Sequence, residues 1–227
     1  MLNILFEDYH CIVVNKPAPL LTQAPPGIDS LESQVKEYIR EKFSKPAGVY
    51  LGVPHRLDRP VSGAIVFARN SKAARRLAEQ FQKHEVGKAY WAIVEGQVTP
   101  LEGTLEDWLL KQSAEARTEI VHAGTSGAKR AVLSYCVLRS VDVGSLVEIR
   151  PTTGRAHQLR VQFASRGWPI WGDAAYGSKA SFGPSVDFPR ERVIALHARQ
   201  LTFHHPTTRE AITVTAPLPD YWPATTQ

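Results

Sequence analysis

His55-Arg56-Leu57-Asp58-Arg59-Pro60-Val61-Ser62-Gly63-Ala64-Ile65-Val66-Phe67-Ala68 passes from a charged loop to an apolar run within one short stretch. The first half carries one carboxylate, Asp58, with Arg56 two residues before it and Arg59 immediately after. Guanidinium groups this close favour an ionised carboxylate held in one place. The second half, 64–68, reads as a buried strand. Ser71 follows as the expected cap of a helix with Ala74, Leu77, Ala78 and Phe81 on its inner face. Lys72, Arg75, Arg76 and Lys83 decorate the remainder, by default as a solvated basic face.

Working towards the N-terminus, Cys11-Ile12-Val13-Val14 is a β-branched strand that ends at Lys16-Pro17. The proline-rich residues 18–28 form a loop. Leu31, Val35, Tyr38, Ile39 and Phe43 then recur at helical spacing, with Asp29 as the expected N-cap and Glu32 three residues on. Pro46 and Gly48 end that helix. Towards the C-terminus, residues 89–95, 131–138 and 145–150 read as strands, and 97–130 as hairpin and loop. A helix spans 155–166, with Thr153 expected to cap it. The tail alternates strand-like runs, 193–203 and 211–215, with turns at His205-Pro206 and Pro217. Strands outnumber helices and do not alternate with them regularly. The expected class is therefore α+β with a mixed, mostly antiparallel sheet. With no internal repeat or linker, residues 1–227 are expected to form one domain.

Composition excludes several function classes. Hydrophobic content of 43% and charged content of 22% are those of an ordinary globular chain. No run of about 18 apolar residues is present, so no membrane span is expected. Nothing basic precedes the first apolar run, which argues against a secretory signal and for the cytoplasm. The two cysteines, Cys11 and Cys136, sit in apolar strand-like runs and read as buried free thiols. No Cys-x-x-Cys or His-Glu-x-x-His spacing occurs, so no metal is expected. A net charge of +5 favours a polyanionic partner.

A second cationic segment, Thr153-Gly154-Arg155-Ala156-His157-Gln158-Leu159-Arg160, lies far downstream of Asp58. The two segments resemble the motifs of the RluA-type pseudouridine synthases, which isomerise uridine in RNA. The likeness extends to Val13-Val14-Asn15-Lys16-Pro17, Lys88-Ala89-Tyr90-Trp91-Ala92, Ile170-Trp171-Gly172-Asp173 with Tyr176, and Leu196-His197-Ala198. The resemblance implies a sheet split by a central active-site cleft, with Asp58 as the essential catalytic residue. It leaves open whether the carboxylate attacks C1′ or removes a proton from C2′. Read from the residues alone, an aspartate at this position more often caps a turn before Pro60 or pairs with an adjacent arginine.

The other roles are carried over one residue at a time. Arg160 matches the arginine that pairs with the catalytic aspartate, and Tyr90 the tyrosine that stacks on the target base. Leu159 matches an apolar residue packed near the uracil. Arg56 matches an arginine that fills the gap when the uridine is flipped out. Lys16, Arg155 and His157 are expected to make phosphate or loop contacts. Trp91 should point into the core. Val61, Gln162 and Pro19 stand where threonine, histidine and glycine are commoner. These departures bear on loop geometry and choice of RNA, not on the reaction. With Lys16 so near the start, no S4 RNA-binding module is expected.

The resemblance thus implies tRNA or ribosomal RNA as the partner, at a stem-loop, with no cofactor and a monomeric enzyme. A non-catalytic RNA-binding module would use the same basic face without a reactive aspartate. A glycoside or nucleotide hydrolase would generally need a second catalytic acid, and none is evident near these motifs.

Overall fold

The computed structural model describes residues 2–44, 48–112 and 117–224. The chain divides into two compact units. One holds residues 1–88 and 198–219, the other residues 89–197 and 220–227.

In the first unit β1 (Ile4–Glu7) pairs antiparallel with β2 (Cys11–Lys16), and β2 with β3 (Ser62–Ala68), with Val13 opposite Val66. Two helices, α1 (Leu31–Lys42) and α2 (Ser71–Gln82), lie between and after these strands in sequence. Cys11, Val13, Ala64, Val66 and Ala68 share one core cluster with Ala73 and Leu77 of α2. The alternate residues Ile12, Val14, Ile65 and Phe67 are fully buried too. Period-two alternation sends them to the opposite face, so these strands are covered on both sides. That explains the continuous apolar run at 64–68.

In the second unit β4 (Gly87–Glu95, from Ala89 onward), β5 (Glu102–Gln112), β6 (Arg117–Val121), β7 (Lys129–Val141) and β8 (Gly144–Pro151) form an antiparallel set. Their order is β4-β8-β7-β5-β6. The polar stretch 97–130 thus contains the β5–β6 hairpin. The short helix α3 (Gln158–Ala164) follows β8. Returning to the first unit, the tail supplies β9 (Leu196–His204, from Ala198 onward) and β10 (Ala211–Thr215), which pair antiparallel. The expected α+β class, mostly antiparallel, is what the chain adopts. No helix among the described residues is long and apolar enough to cross a membrane.

Several local expectations need correction. The cap of α1 is Ser30, not Asp29. Ser30 and Ser33 exchange side-chain-to-backbone bonds of 3.2 and 3.0 Å. Buried Leu31, Val35 and Ile39 set the phase of the helix, so its cap must be the residue before Leu31. Asp29 instead binds the Gln34 amide at 2.8 Å. For α2 the cap is Asn70, whose side chain accepts from the Ala73 N–H at 2.9 Å. Thr153 caps nothing. Its buried hydroxyl is taken by the Val132 N–H (2.9 Å) and the Gln158 side chain (2.8 Å), and α3 starts only at Gln158, after His157. Cys136 and Trp91 are half-exposed rather than core, because each lies on a less covered face of its strand. Pro46 falls outside the described residues.

Candidate active site

In the first unit Asp58 sits on an irregular loop between α1 and β3, half-buried. The loop is fixed mainly through its backbone. Thr22 Oγ1 donates to the Leu57 carbonyl (2.9 Å) and accepts from the Leu57 N–H (3.1 Å). The Asp58 carbonyl accepts from the Val61 N–H at 3.1 Å, closing a turn. Lys16, at the end of β2, is fully buried, and its ammonium donates to the carbonyls of Leu20 (2.6 Å), Pro17 (3.1 Å) and Arg59 (3.3 Å). The Lys16 amine is pushed down to about 7, chiefly by burial, with the Asp58 carboxylate opposing and the Arg59 guanidinium adding to the fall. Lys16 thus ties the end of β2 to the loops at 17–20 and 59.

Gly63 closes the motif with φ +119°. A methyl group there would stand 2.4 Å from the Ala198 carbonyl oxygen, so only glycine allows this approach of β3 to β9. His55 stacks on Phe81 at 4.4 Å, and its Nε2 accepts from the Val66 N–H at 3.1 Å. That bond requires the neutral ring. Burial, with the Lys88 charge second, pushes its pKa down to about 3. His55 is thus a hydrogen-bonded turn residue. Arg56, next to it, is exposed.

In the second unit Arg160 lies on α3 and is buried. Its Nε and Nη2 donate to Asp173 Oδ2 and Oδ1 at 2.7 and 2.9 Å, a bidentate pair. The Tyr176 ring lies 4.9 Å from the same guanidinium. The Tyr176 hydroxyl accepts from the Thr118 N–H at 2.9 Å and lies 2.8 Å from His157 Nδ1. Burial raises the pKa of this phenol. His157 takes the left-handed conformation, φ +50°, as it turns the chain into α3. Arg155 donates from Nε to the Arg130 carbonyl at 3.0 Å, a loop contact. Leu159 and Tyr90 are half-exposed, Tyr90 lying opposite Ile149 of β8.

Within the first unit, then, Lys16 is brought to the Asp58 loop. Within the second, His157 and Arg160 are joined through Tyr176. Asp173, the carboxylate beside Arg160, belongs to a motif but not to the site residues expected from the sequence. Its only signal was the Gly172-Asp173 pair. Gly172 has φ +88°, and a methyl group there would meet Phe182 Cβ at 2.7 Å.

One group of side chains has the donor types of a metal site: Asp8, Cys11 and His205, with ligand atoms within 4.8 Å of one another. Its hydrogen bonds do not fit a metal. His205 Nδ1 accepts from the Thr208 N–H at 2.9 Å, which places the ring proton on Nε2, aimed at Asp8 Oδ2 2.7 Å away. A metal at Nε2 would require an imidazolate.

Comparison with known proteins bears on the same residues. A profile of the family described as RNA pseudouridylate synthase matches residues 10–165, a span that includes Asp58, Tyr90 and Arg160. The chain is 33% identical to a tRNA pseudouridine synthase C of Yersinia pestis, over 98% of this chain and 88% of that one. It is 35% identical to a ribosomal large subunit pseudouridine synthase D of Zymomonas mobilis, over 96% of this chain and 69% of that one. Among solved structures it is similar to human RNA pseudouridylate synthase domain containing 4, with a TM-score of 0.78 and 26% identity over 97% of this chain and 90% of that one.

Proposed function

The chain belongs to the RNA pseudouridylate synthase family, isomerases that act on RNA, and we propose that Asp58 is the carboxylate that carries the reaction at a flipped-out uridine in a tRNA or ribosomal RNA stem-loop. The observation that carries this reading is the match across 10–165 with Asp58 inside it, on a loop pinned by Lys16 and Thr22. In the reaction the N1–C1′ bond breaks and a C5–C1′ bond forms. The C5 proton leaves and N1 gains one, so neither redox change nor net hydrolysis occurs. A carboxylate serves by adding to C1′ or by taking the C2′ proton.

Arg160 is assigned, from its match to the family motif, the role of the arginine that serves the reactive aspartate. Tyr90 offers a flat face for the uracil and a hydroxyl near C5. Leu159 packs beside the base, and exposed Arg56 fills the gap the uridine leaves. The names of the relatives support both tRNA and large-subunit ribosomal RNA as targets.

Asp58→Ala is expected to abolish pseudouridine formation while RNA affinity and thermal melting stay near those of the wild type. Turnover by the purified variant would remove Asp58 from the mechanism. Mapping pseudouridine in total RNA from cells with and without the gene identifies the target.

A further inference from the structure

We propose that Asp173 and Tyr176 are the positioning residues of Arg160, fixing its guanidinium for uridine isomerisation; this rests on the role given to Arg160 above. Two contacts of different kinds hold the group. The Asp173 carboxylate grips Nε and Nη2 in the plane of the fork, and the Tyr176 ring lies against the guanidinium at 4.9 Å. Together they oppose rotation in the plane and tilt out of it.

Each holder is itself held. The Asp173 N–H donates to Ile170, and its carbonyl accepts from the N–H groups of Tyr176 and Ser178 at 3.0 and 3.1 Å. The Tyr176 ring is tethered through its hydroxyl to the Thr118 backbone on β6 and to His157 at the start of α3. His157 adopts a backbone conformation that a residue with a side chain takes at a cost, and there its ring meets this hydroxyl. A guanidinium fixed in this way orients a second carboxylate without reorganising during the reaction.

The substrate for the test is an RNA transcript that the wild-type protein modifies, labelled with tritium at uridine C5, so that tritium release gives a single-turnover rate. RNA affinity is measured separately. If the wild type modifies no RNA, the proposed function fails rather than the positioning roles. Asp173→Asn keeps shape and removes charge. It is expected to slow the single-turnover rate about 100-fold, the scale of a small misplacement of a catalytic group, with RNA affinity unchanged. Asp173→Glu should recover part of that loss.

Because Asp173 acts through Arg160, adding Asp173→Asn to Arg160→Ala should slow the reaction no further. Multiplicative losses, or a wild-type rate in Asp173→Asn, would overturn the proposal. Should Asp173→Asn not fold, Tyr176→Phe decides. It keeps the ring and loses the tether, an expected loss of about tenfold in rate with KM unchanged, and a wild-type rate would overturn the proposal.

Discussion

The Asp58 loop and the Arg160 helix carry opposite charges by opposite means. Asp58 is set by main-chain bonds: Thr22 to both polar backbone atoms of Leu57, Lys16 to the Arg59 carbonyl, and Val61 to Asp58 itself. Arg160 rides on a regular helix but is set by side chains, Asp173 and Tyr176. A backbone-held group has its path dictated by a few special residues, and its neighbours' side chains are free to vary. A side-chain-held group depends on the chemistry of each partner. Substitutions near Asp58 should therefore act on stability and geometry together. Those near Arg160 should act on rate first.

The largest effect expected beside the loop is at Gly63, at the start of β3. Gly63→Ala adds a methyl group 2.4 Å from the Ala198 carbonyl oxygen at a backbone angle that L side chains avoid. A loss of about 4 kcal/mol, or failure to fold, is expected from clash plus strain, measured by urea unfolding. Wild-type stability would show that β3 and β9 separate readily, and the contrast would weaken. Lys16→Met comes next. It takes a donor from the carbonyls of Pro17, Leu20 and Arg59 and should cost about 2 kcal/mol. It should also slow isomerisation, since one of those carbonyls, that of Arg59, belongs to the Asp58 loop. Loss of stability with an unchanged rate would mean that the Asp58 loop does not need this anchor.

The smallest effect is one of pH. Folded His55 takes a proton only near pH 3, whereas the unfolded ring takes one near 6.5. Between these values the unfolded state binds the extra proton, so stability falls as pH drops from about 6.5 towards 3. His55→Gln can still accept from Val66 but does not titrate. Its unfolding midpoint should fall less than that of the wild type between about pH 7 and about pH 5. Equal falls would show that other groups set the acid sensitivity.

The strands at 11–14, 64–68, 89–95 and 145–150 were legible because β-branched runs and strand periodicity are local properties. Asp58 was legible because its arginines adjoin it in sequence. The helix caps were each missed by one residue or more. A cap is chosen by where the buried phase begins, and Leu31 fixes Ser30 as Thr153 could not fix α3. Asp173 is the clearest case of what sequence conceals. It lies 13 residues from Arg160, beyond the end of α3 and a loop. Which carboxylate a buried guanidinium meets depends on the path of that loop, not on local spacing. Family membership and the strand pattern were readable from the chain alone, because both rest on short-range patterns. That Lys16 is an internal anchor, and that Asp173 and Tyr176 hold Arg160, emerged only on folding, because burial and side-chain partners come from residues that the fold brings together.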